Sequence, residues 1–457
     1  MRSLFCFYAK HRDIHSECRV LFLLDRHPRP VILEAKRRGA IISRIFVWEG
    51  IHIVLIIRLG LSKKDNLFWI KIVYLRYRRG FAMDNAVINP FLTSGYLSAE
   101  YFCDREEETK KLTRLLTNGN NVALISSRRM GKTGLIRHCF AQPKIVRSYN
   151  TFIIDIYATK NLGDLVYEMG RQIVNALKPR GKKAIESFVD AVKSLRAGIS
   201  FDVQGLPSWN VELGDVQTPA ITLEEIFTYI ESADKPCLIA IDEFQSISSY
   251  PEKNIEATLR TYIQNCHNAN FVFAGSERTM MGEIFVSAAR PFYQSVSIMN
   301  LDVIPEVKYS EFIKYHFEKN GRKIDDDSIH EAYARFGGVT WYIQKIMNYA
   351  YSITEKGCSF NVARLEETVE DIVEENSEIY KNMLFLLTPP QKMLLIAIGK
   401  EGRVSQITGR QFLKKYSLSA SSVQKALTAL LEKQIVTNNQ GVYEVYDKFM
   451  TIWLSWG

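Results

Sequence analysis

"ISSRRMGKTGLI", residues 125–136, decides the fold. Gly131, Lys132 and Thr133 close a phosphate-binding pattern, G-x-x-x-x-G-K-[ST], but Ser126 stands where its first glycine is expected. Just upstream, "NVALISS" (121–127) reads as a short buried strand, and the spacing predicts a helix from Lys132. Strand, loop and helix in that order are the context the pattern requires. The start of such a helix offers unpaired N–H groups and partial positive charge to a polyphosphate. Ser127, Arg128, Arg129, Met130, Gly131, Lys132, Thr133 and Gly134 therefore form the candidate nucleotide-binding set. In it Lys132 reaches the β- and γ-phosphates, and the Thr133 hydroxyl joins the oxygen shell of Mg²⁺. Gly131 is where backbone passes closest to phosphate. Ser126 only leads out of the strand: serine there costs almost nothing at negative φ, and about 1–2 kcal/mol at positive φ.

A second stretch supplies the partner carboxylates. "CLIAIDEFQSI" (237–247) is an apolar run ending in Asp242 and Glu243. Five consecutive apolar residues fit a strand covered on both faces of a parallel sheet, and its C-terminal end is where open α/β sheets bind ligands. Asp242 suits a metal-holding role through water, and Glu243 suits orienting or deprotonating an attacking water. A third strand, "NFVFAGS" (270–276), ends on Ser276, whose hydroxyl would fall between these two sites. "AARPFYQSVSIMNL" (288–301) places Arg290 ahead of a fifth strand, where it could serve a neighbouring phosphate in cis or in trans, or simply lie on the surface.

Together these stretches resemble the AAA+ superfamily, and within it the archaeal-type ATPases related to the STAND signalling NTPases. The resemblance rests on "FCDREEE" (102–108), "SSRRMGKTGLI" (126–136), "AIDEFQSI" (240–247), "FAGS" (273–276), "RPFYQS" (290–295) and "FGGVTWYIQ" (336–344), and covers residues from about 90 to 457. It implies an α/β P-loop NTPase fold of AAA+ type: a five-stranded parallel sheet in the order 5-1-4-3-2 flanked by helices, then an all-α lid. It also implies ATP as ligand, a Walker A motif at Lys132 and Thr133, a Walker B motif at Asp242 and Glu243, and a sensor 1 role for Ser276. Two positions depart from the pattern: Ser126, and Thr340 where the lid motif usually carries proline. Arg335 is the nearest candidate for a sensor 2 arginine, with a salt-bridged helix residue as the plainer reading.

Composition bounds the rest. A chain of 457 residues, 47% hydrophobic and 24% charged, is ordinary globular protein of two or three domains. Seven scattered cysteines form no CxxC pair, which argues against a disulfide framework or zinc ribbon and fits a cytoplasmic location. The net charge of +9 is unevenly distributed: residues 1–82 hold 17 Lys/Arg against 6 Asp/Glu, and the remainder 42 against 44. The global charge therefore does not make the whole chain a nucleic-acid binder. No apolar run within 1–82 reaches the ~18–20 residues of a membrane span. Three readings of this basic extension stand: contact with an anionic membrane, an accessory strand pair, or an upstream extension that never orders and is not native.

Four regions are expected: 1–82 as this extension, 90–305 as the ATPase core, 306–382 as the lid and 383–457 as a winged helix. In the last, "PPQKMLLIAIGK", "TGRQFLKKYSL" and "SASSVQKALTALLEKQI" read as three helices, and "VTNNQGVYEVY" as a hairpin turning at 438–441. Its 9 Lys/Arg against 4 Asp/Glu allow DNA contact, although only Lys425 and Lys433 punctuate the recognition helix. The stretch 196–219 suggests a β-hairpin inserted in the core. The function expected is Mg²⁺-dependent ATP binding and slow hydrolysis that drives a lid and winged-helix switch. The alternative is a regulator that binds DNA or protein and uses nucleotide with little turnover. A protein partner and a homo-oligomer are both compatible with these features, while a small-molecule kinase is disfavoured because no acceptor site is visible.

Overall fold

The structure, a computed structural model, describes residues 89–177 and 219–456, together with strand backbones at 4–9, 18–23, 35–37, 40–48, 52–59, 70–76, 199–201 and 207–209. It divides into two units, Met1–Ile88 and Asn89–Gly457. In the first, Leu4–Ala9 pairs antiparallel with Cys18–Leu23, and Ala35–Arg37, Ala40–Trp48, His52–Leu59 and Ile70–Arg76 follow one another in an antiparallel sheet. The readings of residues 1–82 as a membrane-contacting or never-ordered extension fall on side chains and connections outside the described residues.

The second unit is built on five parallel strands: β1 (Val122–Ile125), β2 (Asn150–Asp155), β3 (Cys237–Asp242), β4 (Ala269–Gly275) and β5 (Ser297–Asn300). Their order is β5-β1-β4-β3-β2, as the resemblance implies. All residues of β1 and β3 are buried, which is why both read as unbroken apolar runs. Alternation splits their side chains into two layers. Ile239, Ile241, Phe271 and Phe273 join helices Pro219–Glu231 and Ile255–Asn265 on one face. Leu238, Ala240, Val272 and Ala274 join helices α1 (Glu106–Thr117) and α2 (Lys132–Phe140) on the other. Asn118 caps α1 and Gly119 follows at φ +80°. After helix Leu162–Ala176, Ile199–Phe201 pairs antiparallel with Pro207–Trp209, the hairpin expected there. Residues 178–198 lie outside those described.

Helices Glu306–Lys319, Asp326–Phe336, Thr340–Ile353, Val362–Glu375 and Ser377–Phe385 follow the sheet. Gly337 and Gly338 break the second from the third at φ +61° and +63°. Next come Pro389–Glu401, Arg410–Lys415 and Ala420–Glu432, then an antiparallel hairpin of β6 (Val436–Asn439) and β7 (Val442–Val445). Thr388 and Gln391 form a capping box on the first of these helices, and Ser419 caps the third. A last helix, Lys448–Trp456, was not anticipated from the sequence. It packs Phe449 against Phe336 and Tyr342, and Trp453 against Tyr380. The helices that follow the sheet and the C-terminal helices and hairpin thereby share one apolar core. Among the described residues no helix is long and apolar enough to cross a membrane.

Candidate functional site

Parallel strands deliver their C-terminal ends to one edge of the sheet, and the chemistry-bearing residues gather there. Ser126 continues β1 and donates its N–H to Gly275 O at 3.4 Å. It is not among the residues with positive φ, so serine fits without backbone strain. Its Oγ donates to Ser127 O at 2.9 Å. Gly131 precedes α2 at φ +90°, where any side chain would be strained. Lys132 is 6% exposed, and its ammonium lies 3.3–3.4 Å from Ser126 O, Ser126 Oγ and Ser127 O. Those contacts are long for an ionised donor. Burial holds its pKa below the usual lysine value, against the pull of Glu243 and Asp242.

Across from the loop, Thr133 Oγ1 donates to Asp242 Oδ2 at 2.5 Å. Asp242 is also 6% exposed, and burial pushes its carboxyl above the ordinary range while the Thr133 bond works the other way. Glu243 follows at φ +56°, and its Oε2 accepts from Ser276 Oγ at 2.6 Å. Ser276 Oγ in turn accepts from Arg128 Nε at 3.3 Å. The structure therefore brings Arg128, Lys132, Thr133, Asp242, Glu243 and Ser276 together. A hydroxyl and a carboxylate in contact can hold a hard cation, and the loop can hold phosphate.

A cleft of about 540 Å³ opens over this edge, within the size range of small-molecule sites. Its walls include Tyr96 and Phe102 before the sheet, residues 128–134 of the loop, Ile304, and Thr340 and Tyr446 from the C-terminal half. Phe102 stacks on His138 with ring centroids 4.4 Å apart. Arg105, inside the "FCDREEE" stretch but not singled out from sequence, is buried and donates to Asp302 O at 2.6 Å and Met130 O at 3.5 Å. Thr340 Oγ1 donates to the same Met130 carbonyl at 3.3 Å. The residue that replaces the expected proline thus touches the loop directly.

Arg129 makes a link that sequence reading missed. Its backbone sits at φ +67° and its carbonyl accepts from Trp341 N at 3.1 Å. Both terminal nitrogens of its guanidinium donate to Asp447 Oδ2 at 3.1 Å, and one also donates to Tyr342 Oη at 2.5 Å. The rings of Trp341, Tyr446 and Tyr342 surround it at 4.3, 5.0 and 5.1 Å. Asp447 Oδ1 meanwhile accepts from Phe449 N and Met450 N, capping the last helix. An Asp ahead of an apolar helical run was the available signal for that cap; nothing local could pair it with residue 129.

Two other arginines lie elsewhere. Arg290 pairs with Glu256 and donates to Ser248 Oγ at 3.4 Å, and it is not among the residues lining the cleft. Arg335 pairs with Glu366 at 2.8 Å, the salt-bridged role weighed for it.

A family model described as "ATPase domain predominantly from Archaea" matches residues 102–346, and one described as "Probable winged helix domain" matches 378–456. No curated protein matches the chain. Among solved structures the chain is similar to the Walker-type ATPase PABY2304 of Pyrococcus abyssi at 17% identity and TM-score 0.54, covering 80% of this chain and 99% of that one. It also matches the Aeropyrum pernix ORC2 protein in ADPNP–ADP complexes at 14% and 0.49, over 80% and 96%. The Aeropyrum pernix ORC1 protein in complex with DNA matches at 12% and 0.43, over 78% and 92%.

Proposed function

The chain belongs to the ATPase-domain family predominantly from Archaea, and from that membership we propose that it binds Mg·ATP at the sheet edge, hydrolyses it slowly and uses the cycle to move its lid and winged helix. The observation that carries this reading is the Thr133–Asp242 contact, which sets two oxygen ligands beside the buried Lys132 ammonium. Asp242 pays a burial penalty that a divalent cation would relieve. Among the described residues no group of three or more His, Cys, Asp or Glu could hold a metal by itself. The Thr133–Asp242 pair suits Mg²⁺, which takes one or two protein ligands and fills its shell with phosphate and water. When bound, it neutralises charge on the β- and γ-phosphate oxygens.

The chain's own residues then divide the work. The loop N–H groups and Lys132 hold the β- and γ-phosphates. Glu243 takes a proton from water as the water oxygen bonds to the γ-phosphorus; the bond to the bridging oxygen breaks and its electron pair leaves with ADP. Ser276 and Arg128 lie beside Glu243 to meet the γ-phosphate. Arg290 is held by Glu256, so a phosphate role for it belongs to a neighbouring copy that draws it away. We divide the second unit as core 90–305, lid 306–382 and winged helix 383–457, the last two moving together on their shared core. Arg129 ties the phosphate loop to that moving part through Asp447.

Phosphate release by wild type and Glu243→Gln tests the enzymatic half. We expect a loss of roughly a hundredfold or more in the variant, and equal rates would remove hydrolysis from the reading. A second reading, a DNA-binding regulator with little turnover, draws on the winged helix alone. Salt-dependent DNA binding that persists in Lys132→Ala would favour it.

A further inference from the structure

The residue two places after Glu243 bears directly on its carboxylate. Gln245 lies in the 3₁₀ turn Phe244–Ser249 that begins at Glu243, and is only 4% exposed. Its Nε2 donates to Glu243 Oε2 at 2.6 Å and to Ser276 Oγ at 3.3 Å. Since Ser276 Oγ also donates to Glu243 Oε2, two donors meet on the same carboxylate oxygen. Among the described residues no hydrogen bond is made to the other oxygen, Oε1. Glu243 itself is held in the left-handed region and its N–H donates to Asp242 Oδ1 at 3.1 Å. A non-glycine residue stays in that region only where its surroundings over-determine it.

The amide has been accommodated at a cost. Its Oε1 is buried without a partner, which natural interiors rarely tolerate. The amide cannot turn over to relieve this, because Oε1 would then face a carboxylate and a hydroxyl that already serve as acceptors. Beneath it β4 passes as Gly275, where an added Cβ would overlap Met281 and lie 2.7 Å from Gln245 Oε1. Gln245 does not line the cleft, so it reaches substrate only through Glu243 and Ser276.

We infer that Gln245 is a positioning residue for hydrolysis: with Ser276 it fixes Oε2 of Glu243, so that Oε1 is the oxygen presented to the attacking water. This rests on the proposed role of Glu243. A misdirected base loses rate without losing ground-state binding, because the nucleotide itself is gripped by the loop and Asp242.

Gln245→Met keeps the volume and removes the donor. In single-turnover phosphate release we expect its rate to fall roughly ten- to hundredfold, the range spanned by one hydrogen bond to a charged group. Mg·ATP affinity should stay within about twofold, and adding Gln245→Met to Glu243→Gln should cost nothing further, as groups acting as a unit do not add. A rate within about twofold of wild type overturns the inference. So does a parallel fall in rate, affinity and thermal midpoint, which marks a packing role. Should Gln245→Met not fold, Gln245→Asn decides with the same readouts, since it keeps the amide but withdraws it by one methylene. Wild type that releases no phosphate, or releases it no faster than Glu243→Gln, refutes the reading of the site and the inference with it. Full activity in Gln245→Met beside an inactive Glu243→Gln refutes the inference alone.

Discussion

Asp447→Asn tests whether the winged helix holds the phosphate loop. The substitution keeps Oδ1, which caps the last helix through Phe449 N and Met450 N, but puts an amide donor where Oδ2 received Arg129. Hydrogen bonds to charged groups contribute about 1.5–3 kcal/mol when buried, and exposed ion pairs only about 0.2–1 kcal/mol. With side chains 26% and 22% exposed, this pair falls between, at about 1.5 kcal/mol. If the anchor keeps Arg129 at its left-handed φ, its loss lets the loop relax and weakens nucleotide binding by roughly tenfold. Calorimetric titration of Mg·ADP into wild type, Asp447→Asn, Arg129→Gln and the double variant measures this directly. Each single variant should bind roughly tenfold more weakly and the double no more weakly than either. By linkage, nucleotide should then steady the winged helix by the same factor. An affinity in Asp447→Asn within about twofold of wild type, or single effects that add in full, would refute the coupling.

Three further outcomes are expected. Asp242→Asn should raise the thermal midpoint of the nucleotide-free protein: burial lifts the Asp242 carboxyl above its unfolded value, so its contribution to stability is lost as pH rises through the lifted value, and the gain should be larger at pH 8 than at pH 5. A melting series with and without Mg·ADP checks this, and the variant should lose its response to magnesium. Thr340→Pro should leave the midpoint unchanged or raise it, because Thr340 is the first residue of its helix and Val339 is already extended (ψ 116°); a drop of several degrees would show that its bond to Met130 O matters more than the helix start. Arg290→Ala should destabilise by about 1–2 kcal/mol in urea titrations, a figure discounted for its partial exposure. Burial already raises the Glu256 carboxyl, so the loss should grow with pH.

The part of the site that sequence revealed is the part encoded by neighbours along the chain. Lys132 and Thr133 follow a strand at fixed spacing, and Asp242 and Glu243 end another, so pattern and apolar period sufficed to place them. β2 went unread because "NTFIID" alternates buried with partly exposed positions and so shows no unbroken apolar run. Arg105, Gln245 and Asp447 were missed for a different reason. Each acts through an atom supplied by folding: a carbonyl 197 residues away for Arg105, the hydroxyl of Ser276 for Gln245, and a guanidinium 318 residues away for Asp447. Ser126, which looked like a defect in the motif, proved harmless once its backbone was seen to need no positive φ.

The shared core of the last two regions has a practical consequence. A fragment ending near residue 382 would strip Phe449 and Trp453 from Phe336, Tyr342 and Tyr380, leaving those rings facing water. Such a truncation would yield a sticky, damaged core instead of an independent one. Dissecting this molecule therefore calls for point changes at the seam, with the tail left in place.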